Sequence, residues 1–125
     1  QKGNDVAIKA QYAQIRTSAE LYYSSYGTYG GGTTGVAAVV SSSTCTGAGT
    51  VFNQTDGIGK QLVVAEANSD QSPTWVSRCA LSSTPYESWA VSIPLKGGTN
   101  WCVDSSGYLA AGTSTGGGTA RAYCQ

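Results

Sequence analysis

The residues of this 125-residue chain that could do chemistry are few, and their spacing matches no common catalytic device. There is no histidine, which removes the commonest general base together with the Ser-His-Asp and Cys-His nucleophile arrangements. Asp56, Glu66, Asp70, Glu87 and Asp104 stand singly, so each reads as a cap, a turn residue or a solvated charge. Gly57-Ile-Gly-Lys60 approaches a phosphate-binding loop, but Gln54 stands where a glycine is required and Gln61 replaces the Ser or Thr. No glycine cluster sits between a strong strand and a helix as a dinucleotide fingerprint would demand. Asp104-Ser-Ser-Gly107 carries the best oxygen set for calcium, which takes roughly six to eight oxygens and usually several carboxylates. One carboxylate falls short of that, so the expected structure is a turn in which Asp104 accepts backbone N–H groups. Neither an enzyme activity nor a metal or cofactor is expected.

The four cysteines, Cys45, Cys79, Cys102 and Cys124, lie far apart with no C-x-x-C pair, unlike redox-active or zinc sites. An even count in a small domain points to two disulfides and an oxidising, extracytoplasmic compartment. Three connectivities are open, and Cys45–Cys79 with Cys102–Cys124 is favoured; the alternative is four buried free thiols. A Cys102–Cys124 bridge would close a loop of 22 residues, worth about 3 kcal/mol on the chain-entropy estimate.

Those cysteines must be positioned by a modest core. Seventeen glycines, one Phe, no Met and many Ser, Thr and Ala residues indicate a single domain over 1–125 with long small-residue loops. Seven acidic and seven basic residues balance, so no long-range field exists to steer nucleic acid or anionic lipid. No stretch approaches the ~20 apolar residues of a membrane-spanning helix. The chain begins with Gln1, which reads as a processed piece whose membrane or export segment has been removed.

Ile8, Tyr12, Ile15, Ala19, Tyr22 and Tyr26 recur at spacings of three and four, which predicts an amphipathic helix over 1–26 with this face turned inward. Lys9, Gln11, Gln14, Arg16, Ser18 and Glu20 make its polar side, Asn4 or Asp5 could cap its start, and Gly27 ends it. Residues 27–73 read as a Gly/Thr/Ser-rich loop region, with Val36 to Val40 and Thr50 to Phe52 as short extended pieces. Within it a short helix is expected over 57–68, with Asp56 as N-cap. Residues 74–125 read as antiparallel sheet. Trp75, Ser77, Cys79 and Leu81 share one strand face, and Trp89, Val91, Ile93 and Leu95 alternate with Ala90, Ser92 and Pro94. A turn at 96–99 and a return through Trp101 to Asp104 complete a hairpin, and 111–119 is expected as loop. Pro94 counts against a central position for its strand. The whole is an α+β fold, one helix packed on a small antiparallel sheet and stapled by two disulfides. Tyr22, Tyr23, Tyr26 and Tyr29 could form a stacking platform for sugars or single-stranded nucleic acid, but with no basic groove beside them core packing is expected. Asn53-Gln-Thr55 matches a glycosylation sequon and Ser41 to Thr44 could accept O-linked sugars, patterns common by chance.

The run from Ala10 to Tyr29, with its Glu20-Leu-Tyr-Tyr23 stretch followed by Gly27-Thr-Tyr29, resembles the exposed half of the long helix of type IV pilins and pseudopilins. Trp89-Ala-Val-Ser-Ile-Pro-Leu-Lys96 and Trp101-Cys-Val-Asp-Ser-Ser-Gly107 are similar to the sheet hairpin of some bacterial pilins, and Cys124 resembles the cysteine closing the C-terminal loop in that family. Family members often carry Pro where this chain has Gly30, and neither Cys45 nor the Gly/Thr/Ser-rich stretch has a counterpart. The resemblance implies a structural subunit at the cell surface that assembles with copies of itself and related pilins. It would meet the membrane only through an upstream apolar half-helix. A type II secretion pseudopilin is the nearest alternative. A secreted adhesin or carbohydrate-binding module using Trp75, Trp89 or Trp101 is a different one, and a DNA-uptake minor pilin is disfavoured by the neutral charge.

Overall fold

A computed structural model of the chain describes residues 2–30, 41–42, 50–53, 57–69, 77–82, 86–117 and 120–125. In chain order the elements are α1 (Lys2–Tyr26), β1 (Ser41–Ser42), α2 (Gly59–Ala67), β2 (Arg78–Leu81), β3 (Trp89–Pro94), β4 (Asn100–Asp104), β5 (Leu109–Ala111), β6 (Ser114–Gly117) and β7 (Ala120–Cys124). The first five strands form one antiparallel sheet in sequence order, and β6 pairs with β7 as a separate hairpin. An α+β fold with an N-terminal helix on a small antiparallel sheet is therefore present.

Every residue of β3 is buried, because the sheet is covered on both faces. On one face Cys79, Leu81, Trp89, Val91, Ile93 and Val103 meet the helices. On the other, the small side chains of Ala80, Ala90 and Cys102 let the β6–β7 hairpin approach closely through Ala122 and Cys124. The alternation of large and small residues along 89–94 thus encodes two different covers, a helical layer and a strand layer. Pro94 does sit in this central strand. Among the described residues β2 pairs with β3 only as far as Ser92, so the missing N–H of Pro94, at the strand's last residue, breaks no ladder bond described there.

Four local expectations are corrected. α1 starts at Lys2, and Asp5 serves the sheet instead of capping the helix. Thr50 to Phe52 is a turn: the Asn53 N–H donates to the Thr50 carbonyl at 3.0 Å and the Phe52 N–H to the Thr50 hydroxyl at 3.0 Å. Ile58, without a side-chain cap bond, occupies the N-cap of α2, and Asp56 lies outside the described residues. Finally, 114–117 is a strand and not a loop. It has almost no β-forming side chains of its own and is held by pairing with β7 and packing on β2 and β3. Val36 to Val40, Cys45 and Trp75 also lie outside the described residues.

Gly27, at φ +74°, ends α1 as expected, its N–H returning to the Tyr23 carbonyl at 2.6 Å. Three residues on, a side chain is excluded altogether: a Cβ on Gly30 would lie 2.3 Å from the Tyr86 ring. Tyr86 itself holds a left-handed backbone, φ 58°, unusual for a bulky residue, while its carbonyl accepts the Tyr29 N–H at 3.2 Å. Gly30→Ala should therefore cost about 1–3 kcal/mol by overpacking. In a Tyr86→Ala background most of that cost should vanish. Urea unfolding of the four-member cycle measures this coupling, and additive costs would refute it.

Candidate functional site

The surfaces available for function are set by how α1 sits on the sheet. Ile8, Tyr12, Ile15, Ala19 and Tyr22 are buried against it, and Tyr26 is half-buried on Tyr22 with ring centroids 4.6 Å apart. All six predicted face residues thus come together in one seam. Burial raises the Tyr12 hydroxyl pKa well above its ordinary value, with the charge of Glu66 on α2 adding to the effect. Glu66 is in turn raised by burial, opposed by a hydrogen bond from Ser77.

A charged flank of α1 fixes its register along β4. Asp5 accepts the Lys96 N–H at 2.8 Å and the Gly97 N–H at 3.0 Å, gripping the β3–β4 turn. One turn on, the Lys9 ammonium lies 4.5 Å from the centroid of Trp101. Two turns beyond, Arg16 donates to the Gly107 carbonyl at 3.2 Å in the β4–β5 turn. The contacts step forward together in both elements, so α1 runs parallel to β4. Between the helix and that second turn lies an open cleft of about 300 Å³ lined by Arg16, Thr17, Glu20, Ser105, Ser106 and Gly107. Glu20 on its rim accepts the Tyr29 hydroxyl at 2.9 Å; burial first, and this bond second, raise the Tyr29 pKa.

Asp104 lies at the foot of this turn, 1% exposed. Its Oδ1 accepts from the Ser106 N–H at 2.8 Å, the Ser106 hydroxyl at 2.7 Å and the Tyr108 N–H at 3.1 Å, and its Oδ2 from the Cys124 N–H at 2.8 Å. Burial alone would raise its pKa, but the bonds from Ser106, Cys124 and Tyr108 outweigh it and leave the carboxyl below the usual range. The Asp-Ser-Ser-Gly turn is thus built around Asp104 as a knot of accepted N–H groups. Among the described residues no group of three His, Cys, Asp or Glu could hold a metal. Cys102 and Cys124, next to the knot, form a disulfide with Cα atoms 6.0 Å apart. Cys79 is disulfide-bonded too, and Cys45, its expected partner, lies outside the described residues.

The sugar-platform residues that are described are placed differently from what stacking needs; Trp75 lies outside the described residues. Trp89 is fully buried, and the Trp101 ring lies under Lys9. Tyr22 and Tyr29 are in the core, with Tyr23 packed on Tyr29 at 4.7 Å. Asn53 of the sequon is locked in its loop, donating to the Thr50 carbonyl at 2.6 Å and accepting the Gly57 N–H at 3.2 Å.

What sequence reasoning missed are the outward faces. Val6, Ala10, Ala13, Thr17, Leu21 and Ser24 form an uncharged exposed stripe on α1 opposite the seam, and Val63 and Val64 project from α2. The three-and-four spacing of this second stripe was available as a signal, hidden by the stronger tyrosine pattern. Among the described residues no helix is long and apolar enough to cross a membrane. Comparison with family models, with curated proteins and with solved structures returned no match.

Proposed function

We propose that this chain is the globular part of a type IV pilin-like filament subunit, working at the cell surface by assembly and not by chemistry. The observation that carries it is α1 laid lengthwise along β4, one face sealed into the sheet and an uncharged stripe left facing out. A helix so mounted is braced to transmit position between neighbours. The C-terminal strand locked by Cys102–Cys124 supports the reading, since a disulfide suits an extracytoplasmic location. A second bridge, Cys45–Cys79, belongs to the same proposal. A pseudopilin would have the same architecture and differs in the machine it serves.

The reading predicts a prepilin-type cleavage site and an apolar segment encoded directly ahead of Gln1. Deleting the gene should remove filaments from the sheared surface fraction, seen by electron microscopy, and the wild-type gene should restore them. An ordinary Sec-type signal peptide cleaved near Gln1, with the protein free in the medium, would overturn the reading.

A further inference from the structure

We propose that the Cys102–Cys124 disulfide is a redox-sensitive latch on the β6–β7 hairpin: reducing it lets the hairpin lift off while α1, α2 and the five-stranded sheet stay folded. The two covers of that sheet are unequal. The helical cover brings Ile8, Tyr12, Ile15 and Tyr22 into one cluster with Trp89 and Ile93. The hairpin offers only Ala122 and Cys124 to Ala80, Ala90 and Cys102, with Tyr108 at the margin, and apolar stabilisation scales with the area buried. Backbone pairing does not make up the difference. The hairpin is a sheet of its own, and its ladder runs between its own two strands, the Thr113 and Gln125 bonds included. It is tied to the larger sheet through side chains. The Cys124 N–H donates to Asp104 at 2.8 Å, the Ala122 N–H to the Ser88 hydroxyl at 2.9 Å, and the Ser92 hydroxyl to that of Ser114 at 3.3 Å.

The covalent bond is the remaining tie. It joins residues 22 apart and so pins the end of β7 to β4. A segment with few buried apolar contacts opens at low cost once untied, and a two-stranded hairpin is marginally stable by itself. Cys124, 7% exposed against 0% for Cys102, is the end a reductant meets first. A thiolate of a dithiol attacks the Cys124 sulfur, the S–S bond breaks, and Cys102 leaves as a thiolate that takes up a proton. The second thiol of the reagent then displaces Cys124 and closes its own disulfide, so two electrons pass from the dithiol to the bridge. Reoxidation reverses both steps. Cys79 is bonded within the helix-facing cluster, behind the thicker cover. The turn after β4 survives the opening, because Ser106 and Tyr108 still donate to Asp104. None of this depends on the filament reading.

Two measurements test the latch. In the first, the folded wild type is treated with dithiothreitol, then alkylated, and its peptides are weighed. Cys102 and Cys124 should label before Cys79. In the second, amide hydrogen exchange is followed by NMR in the oxidised wild type and in the double variant Cys102→Ser with Cys124→Ser. The amides of Ala122 and Gln125 should exchange at least about tenfold faster in the variant, at a rate nearly independent of low urea concentrations. Those of Val91 and Ile93 in β3 should stay far better protected and respond steeply to urea, as groups released only by global unfolding do. A merely structural bridge would instead speed both sets together. One common opening energy and urea slope for Ala122 and Val91, unchanged exchange at Ala122, Cys102 labelling only together with Cys79, or a double variant that does not fold would overturn the proposal.

Discussion

Asp104→Asn is expected to cost about 3 kcal/mol, roughly 10 °C in Tm. The wild-type carboxylate accepts four hydrogen bonds from three residues. An amide of the same size must turn its NH2 group toward N–H donors on one side, leaving a buried donor without an acceptor. The pH dependence carries a separate signature. The folded carboxyl titrates below its ordinary value of 3.8, so its contribution is complete above that pH and is lost as pH falls through the lower folded value. Urea midpoints of the wild type between about pH 5 and pH 2 should decline more steeply than those of Asp104→Asn. Parallel curves would show that the carboxylate does not stabilise the fold.

Removing the disulfide with Cys102→Ser and Cys124→Ser together should cost about 3 kcal/mol as well, through the freedom returned to the unfolded chain. The two effects should not add. The Cys124 N–H is itself a donor to Asp104, so loosening the C-terminal strand already weakens the knot. Asp104→Asn in the serine background should therefore cost about 1 kcal/mol less than in the wild type. Denaturant unfolding of the four proteins measures this, and strict additivity would mean that turn and bridge act independently.

The seam of α1 was readable from its spacing because a long helix with five large residues and Ala19 on one face has few other ways to bury them. Trp89 to Leu95 was readable for the same reason at period two. The hidden parts follow from side chains too small to signal. Ala80 and Ala90 look like filler in sequence, yet with Cys102 they form the layer that admits a second pair of strands through Ala122 and Cys124. Ser114 to Gly117 has Thr115 as its one strand-forming residue, and pairing with β7 and packing on the sheet make it a strand. Asp104 was legible as a turn residue, but the reach of its second oxygen to Cys124 is a long-range contact that no local pattern announces. Asp5 misled because a carboxylate in a helix's first turn ordinarily serves that helix, and here it serves the turn after β3.

The parallel run of α1 beside β4 has a mechanical meaning. A pull on the helix along its own axis is resisted at Asp5, Lys9 and Arg16 simultaneously, with the interlocked side chains of the seam between them. Such a joint slides as a whole or holds, whereas one loaded crosswise opens a bond at a time. The domain should therefore resist a load along the axis of α1 better than one across it.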